Sequence, residues 1–290
     1  MPSSKLQTSA TPMVLPLQLP LWPNKQRGIP NAMARSALFN VTNLRAGARK
    51  SYERRVIAAV GGIGITYTGF ELRQDDADVL LQILHLARPH DLGTHVSFTG
   101  HSLLKSLTWS VNNASKERLI SCLSRLSATT LDISITDREG LREGYAGSLI
   151  RSFFWHDDTT GKALRNWSVL LEPKIAALFL PSSYSRLDWE LRMSLPPLAK
   201  WLHTFYQTHS MPFPMKVETL HRLTDSDAKE LWHFRADLKK ALALLVDKAF
   251  FISALIDPRM DTVQVVRKHQ TESPRILRRP VGLSQTDMTA

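Results

Sequence analysis

Little in this chain equips it for covalent chemistry. Cys122 is the only cysteine in 290 residues, which excludes an internal disulfide and a Cys-rich zinc site and fits a reducing compartment. No uncharged apolar run reaches the ~18 residues a membrane span needs; the best stretch, Ala241–Ile256, is broken by Asp247 and Lys248. The apolar segment Met13–Trp22 carries Pro16 and Pro20, follows Pro12 and has no A-x-A-like site, so it does not read as a signal peptide. Gly64 and Gly69 are spaced as in a phosphate-cradling loop, but Phe70 and Glu71 follow where Lys and Ser/Thr would be needed. No H-E-x-x-H occurs, nor two histidines flanking one residue as a rolling-circle nuclease would need. His85, His90 and His95 are five apart with Pro89 between them and read as surface residues, and His156-Asp157-Asp158, with Thr-Thr-Gly following, reads as a turn. The expectation is a soluble, cytoplasmic protein with no catalytic residue, no metal and no cofactor.

Acidic residues are also missing, but only locally. Residues 1–50 hold Lys5, Lys25, Arg27, Arg35, Arg45, Arg49 and Lys50 with no Asp or Glu, and residues 267–290 hold five cations against Glu272 and Asp287. The formal net charge is +11, and these ends carry nearly all of it. Basic ends on a neutral body fit a polyanionic partner, most simply nucleic acid; the plainer alternative is tails that only keep the protein soluble.

Hydrophobic residues make up 43% of the chain, enough for a buried core, and their spacing suggests a repeat. In the first stretch a strand is expected over 64–73 and a helix over 75–88, with Asp75, Asp76 and Asp78 favourable at the helix N-terminus. A short helix at 100–107 with Thr99 as cap, a helix at 114–126 burying Leu119, Cys122, Leu123 and Leu126, and strands at 129–136 and 148–155 follow. The second stretch offers strands at 167–171 and 187–193 around a short helix at 173–180. Helices from 196 to before Pro212, at 218–223 and at 228–246, and strands at 249–256 and 262–267 complete it. Asp227 and Glu230 have capping-box spacing at the start of the last helix. Three helices and a two-strand ribbon, twice over, is the order of a winged helix-turn-helix domain.

The expected fold is therefore α+β: two tandem winged helix-turn-helix domains with flexible arms. The boundaries are a 1–30 N-terminal arm, domain 1 at 31–163, domain 2 at 164–270 and a basic tail at 271–290.

On the helix 228–246, Leu231, Phe234, Leu238, Ala241, Leu242 and Leu245 share one face at 100° per residue. The opposite face carries Lys229, Trp232, His233, Ala236 and Lys240, flanked by Arg235 and Lys239, with Asp237 on the other flank. Donors around a small alanine suit a surface pressed into a DNA groove; an ordinary solvated face is the alternative, and position in the repeat decides for DNA. The outward face of 114–126, with Glu117, Arg118, Ser121, Ser124 and Arg125, is less basic and predicts weaker readout. Arg138 and Arg142 are wing-tip candidates or plain hairpin charges.

Three strings carry a family likeness: Ala34-Arg35-Ser36-Ala37-Leu38-Phe39, Ile65-Thr66-Tyr67-Thr68-Gly69 with Glu71-Leu72-Arg73, and Cys122-Leu123-Ser124-Arg125-Leu126. With Phe234-Arg235, Leu238 and Ala241, they resemble the TrfA replication initiators of broad-host-range plasmids, in order from about residue 20 to 250. The resemblance implies binding to direct repeats (iterons) in double-stranded origin DNA and help in opening an AT-rich region. It also implies recruitment of host initiator, replicative helicase and sliding clamp, with a self-dimer as the inactive form. Gln18-Leu19-Pro20-Leu21-Trp22 looks like a variant of the family's clamp-binding peptide, with Gln18, Leu19, Leu21 and Trp22 as anchors; Trp22 packing on its own domain is the competing reading. A winged-helix repressor that only binds operator DNA is the alternative function, and protein-interaction modules without a DNA role are a third.

Overall fold

The computed structural model describes residues 18–42, 47–136, 142–156 and 163–267. The first elements are β1 (Gln26–Pro30), α1 (Asn31–Ala34), β2 (Phe39–Asn40), β3 (Ser51–Ile57), β4 (Ile63–Phe70) and β5 (Leu72–Arg73). There follow α2 (Gln74–Ala87), β6 (His95–Phe98), α3 (Gly100–Ser106), α4 (Asn113–Ser127), β7 (Thr130–Thr136), β8 (Arg142–Gly147), β9 (Ile150–His156) and β10 (Ala163–Leu171). After a 3-10 turn at Pro173–Phe179 come β11 (Tyr184–Asp188), α5 (Trp189–Met193), α6 (Pro197–Gln207), β12 (Met215–Lys216), α7 (Val217–Thr224), α8 (Leu231–Asp247), β13 (Phe251–Asp257) and β14 (Thr262–Arg267). The fold is α+β.

The repeat is present and more regular than its sequence outline. α2–β6–α3–α4–β9–β10 forms one unit and α6–β12–α7–α8–β13–β14 the other. Their antiparallel sheets have the orders β6-β10-β9 and β12-β14-β13, so in each unit the strand after the first helix pairs with the last strand. The hairpin β7–β8 is an insertion in the first unit and completes a four-stranded sheet, β3-β4-β7-β8.

Two apolar cores underlie the units. The first runs from Leu19 to Trp189; the second gathers Val41, residues from Leu195 onward on α6, α7 and α8, and Val263 and Val265 of β14. Within it Phe234, Leu238 and Leu245 are buried on one stripe of α8. Cutting Phe234 back to alanine would cost about 3–5 kcal/mol by transfer and cavity.

Several expectations are corrected here. A boundary at 163/164 would cut the first core, because β10 pairs with β6 and β9 and buries Trp167, Val169 and Leu171; the cores part between Trp189 and Leu195. The segment 187–193 is not one strand: Asp188 ends β11 and its side chain caps α5 by accepting from the Leu191 amide at 2.8 Å. The described part of the N-terminal arm, residues 18–30, is built into the fold. Its β1 pairs with β11 from Gln26↔Asp188 to Pro30↔Tyr184, and Leu19 and Trp22 are buried. The expected tail at 271–290 lies outside the described residues.

The aspartates at the start of α2 do more than complement a helix dipole. Asp75, Asp76 and Asp78 are all buried. Asp75 and Asp76 face the guanidiniums of Arg49, Arg118 and Arg125. His85 is not a surface residue either: it is buried, and its Nδ1 accepts from Trp22 Nε1 at 3.1 Å. Burial, reinforced by Arg27 and Arg88, pushes its pKa down to about 3, so it stays neutral. Thr99 caps α3 as expected, its hydroxyl accepting from the Ser102 amide at 3.0 Å. Among the described residues no helix is long and apolar enough to cross a membrane.

Candidate nucleic-acid interface

In the second unit α8 lies against the core through Phe234, Leu238, Ala241, Leu242 and Leu245 and turns Trp232, His233, Ala236, Asp237, Lys239 and Lys240 to solvent. Trp232 is 60% exposed, and its ring centroid lies 3.4 Å from that of His233. Lys240 is weakly paired with Asp237 at 3.3 Å, both mostly exposed, a pair worth only a few tenths of a kcal/mol on a helix surface. Lys239 is exposed on the same side.

Two members of the predicted face have other positions. α8 starts at Leu231, so Lys229 lies in the exposed turn ahead of it. The expected capping box is not made: Glu230 is the N-cap without a side-chain bond. His221 Nε2 meets the Ala228 carbonyl at 2.9 Å and Ser226 Oγ accepts from the Ala228 amide at 3.3 Å, and these contacts shape the turn.

Arg235 is taken by a partner. Its Nε and Nη2 donate to the two carboxylate oxygens of Asp261 at 3.0 and 2.8 Å, a bidentate pair that ties α8 to the β13–β14 turn.

Sequence reasoning joins the last two strands through Asp257-Pro258 but does not single out Arg259 in that turn. Asp257 Oδ1 accepts from the amides of Arg259 and Met260 at 2.8 and 3.1 Å, and Asp261 closes the turn in left-handed backbone with φ 49°. Arg259 and Met260 are held out to solvent, Met260 67% exposed. The signal was the Asp257-Pro258-Arg259 string itself, because an aspartate ahead of a proline builds such turns. In the first unit Arg165, near the tip of the β9–β10 ribbon, is exposed and was missed in the same way.

The first unit treats its candidates differently. Ser121 on α4 is exposed. Arg125 is turned inward: it reaches Asp76 at 2.8 Å and donates to Cys122 Sγ at 3.2 Å. Arg118 lies over the Trp109 ring, 3.8 Å from its centroid, and 3.4 Å from Asp75. Buried carboxylates must be paired, and these arginines pair them. Arg142 opens β8, so it belongs to the four-stranded sheet and not to the first unit's own ribbon, and Arg138 lies outside the described residues.

Asp75, Asp76 and Cys122 bring three ligand-type atoms within 4.8 Å of one another. Arg49 donates to both carboxylates, at 2.9 and 2.5 Å, so guanidinium groups stand where a cation would sit. Burial and the neighbouring Asp75 push the Asp76 carboxyl up to about 6, against the pull of Arg125 and Arg49. Burial pushes the Cys122 thiol well up, so it is a poor nucleophile.

The residues of the peptide 18–22 are in use within the chain. Leu19 and Trp22 are buried, Trp22 stacking on Phe179 with centroids 6.0 Å apart, and Gln18 Nε2 donates to Asp91 at 2.7 Å. Only Leu21 is exposed. Of the two readings of Trp22, the structure has it packed on its own core.

Residues 5–265 match the family model described as TrfA protein. The plasmid replication initiator protein TrfA of Escherichia coli is 34% identical over 222 residues, which is 76% of this chain and 56% of that relative. The chain thus spans just over half the length of the relative it matches. A crystal structure of domains 2 and 3 of RctB is similar in fold, with a TM-score of 0.57 at 14% identity over 84% of this chain and 99% of that one.

Proposed function

The chain belongs to the TrfA family, and from that premise we propose that it is a plasmid replication initiator gripping repeated origin DNA through two winged-helix units. The observation that carries this reading is the second unit's outer surface: an exposed helix face with Trp232, His233 and Lys239, locked by Arg235–Asp261 to a turn that presents Arg259. In this reading α8 lies in the major groove and α7 braces it, while the β13–β14 turn reaches the adjoining backbone or minor groove. Trp232 gives apolar contact to thymine methyls and the lysines meet phosphates. The first unit, with the arginines of α4 turned inward, contributes mainly shape and backbone contact through Ser121 and Arg165.

Work on the duplex then comes from binding and bending, without nucleotide hydrolysis by this chain. Host initiator, helicase and clamp, and an inactive self-dimer, enter as partners by the family likeness. Clamp binding through residues 18–22 would first require Leu19 and Trp22 to leave the core.

The test is fluorescence anisotropy with duplexes carrying direct repeats from the plasmid's origin, at stepped salt. Affinity should fall steeply with salt, and Lys239→Ala should weaken binding while lowering the slope of log K against log[salt] by about one. A flat salt response overturns the reading.

A further inference from the structure

The two units meet across a buried ion-pair network that lies outside both DNA faces. Asp78, on the first unit's leading helix α2, points at the second unit's leading helix α6, where Lys200 Nζ donates to Oδ2 at 2.5 Å. Arg192 of α5, in the connection between the units, donates through Nε to Asp78 Oδ1 at 2.8 Å. The same guanidinium donates through Nη1 to Thr204 Oγ1 of α6 at 2.6 Å and through Nη2 to Gln74 Oε1 of α2 at 3.1 Å. The side chains of Asp78 and Arg192 are 2% and 1% exposed.

We propose that Asp78, Arg192 and Lys200 are positioning residues that set which separation between two half-sites the chain can bind. The proposal rests on the reading that both units touch DNA, and the physical argument concerns register. The hydrophobic effect behind an apolar contact between two helices is non-directional and selects a register less strictly than paired charges do. A carboxylate shared by a guanidinium and an ammonium, with the remaining guanidinium donors committed to α2 and α6, is satisfied in one arrangement only. Sliding α6 along α2 would leave a buried charge unpaired.

Contacts at the margins of the junction agree with one fixed arrangement. Arg55 forks onto Asp225 at 3.0 and 2.8 Å, Arg35 reaches Thr208 Oγ1 and its carbonyl at 2.9 and 2.7 Å, and Trp201 Nε1 donates to the Ser36 carbonyl at 3.1 Å. Two groove-reading faces held at a fixed angle accept one helical phase of the DNA between their half-sites. A loosened pair accepts several.

The experiment uses the full chain. Wild type first selects its site from a random-sequence duplex pool, and affinity is then measured on that site with one to six base pairs inserted between the halves. Wild type should lose about a hundredfold on a five-base-pair insertion, which turns one half-site to the opposite side of the helix. Two variants are compared with it. Asp78→Asn keeps the shape of the side chain and removes its charge. The triple variant Asp78→Leu, Arg192→Met, Lys200→Met replaces the network by apolar groups of similar size, an exchange that buried ion pairs often tolerate without loss of stability.

Thermal unfolding selects the variants that remain folded. In these the five-base-pair penalty should shrink to tenfold or less, about the loss of one tethered contact, while affinity for the native spacing changes less. An unchanged spacing profile in a folded variant overturns the proposal and leaves the DNA reading standing. Unfolding of both variants also overturns it, since the network would then serve stability. Selection of no duplex by wild type overturns the DNA reading and this proposal together.

Discussion

The two units share a connection order and a sheet order, yet they spend their cations in opposite directions. In the second, the long helix before the ribbon keeps Lys239 and Lys240 exposed, and Arg235 is used to hold the neighbouring turn. In the first, the equivalent helix turns Arg118 and Arg125 back onto the aspartates of α2, where Arg49 joins them. What separates the units is the acidity of the leading helix. α2 opens with Asp75, Asp76 and Asp78, and buried carboxylates demand partners from whichever helix packs on them. α6 opens on Pro197 with no acidic residue in its first turn, so α8 owes it nothing. Topology therefore repeats while chemistry does not: α4 turns both its arginines inward and leaves Lys116 exposed, whereas α8 leaves Lys239 and Lys240 exposed.

The sharpest way to break this contrast is Arg125→Ala. It strips one of two guanidinium partners from a fully buried carboxylate, leaving Arg49, and should lower stability by about 1.5–3 kcal/mol in denaturant unfolding. A loss below about 0.5 kcal/mol, typical of a surface change, would mean that Arg125 was free to face DNA after all.

Acidification tests what the units have in common. Each buries a neutral histidine, and burial pushes both His85 and His203 down to about 3, helped by Arg27 and Arg88 for the one and by Arg192 and Arg267 for the other. Unfolded histidine titrates near 6.5, so the unfolded chain binds more protons below that pH; stability is full above about 6.5 and is lost as pH falls toward 3. Asp76 runs the other way: its carboxyl, raised to about 6 by burial and Asp75, favours the fold as pH drops through that value. The net expectation between pH 7 and 5 is a loss of roughly 2–3 kcal/mol in denaturant unfolding. His203→Gln should remove part of the loss and leave the His85 share. An unchanged stability at pH 5 would contradict the burial of both rings.

The mildest comparison pairs one exposed residue from each long helix. Trp232→Ala should weaken binding to origin repeats by about 1–3 kcal/mol, the scale of a base contact, and Ser121→Ala by less than about 0.5 kcal/mol. Equal losses in a gel-shift titration would erase the proposed division between the units.

The repeat was legible because helix period and strand composition are local properties. The stripe Phe234, Leu238, Ala241, Leu242 and Leu245 can be read off α8 at 100° per residue, and it is buried. The inward turn of Arg125 was not legible, because it depends on the burial of Asp76, which sits 49 positions away in the chain. The sequence leaves two readings of Trp22 open for the same reason: its segment is aperiodic, while its partners, His85, Phe179 and Tyr184, come from distant strings. The end of the first unit is not legible in sequence because β10 reads equally well as the end of one ribbon or the start of another, and only its pairing with β6 and β9 decides. Arg259 is marked only by the turn around it, where Asp257 accepts from two following amides, and by no helix periodicity.

The pairing of β1 with β11 bears on how the chain is made. Gln26 leaves the ribosome some 160 residues ahead of its partner Asp188, an interval of roughly ten to thirty seconds at 5–20 residues per second. During that wait the strand has no ladder to join, and Trp22 cannot stack on Phe179 until that ring has emerged as well. The first core is thus closed only once Asp188 and Phe179 have emerged, by a strand made some 160 residues before its partner.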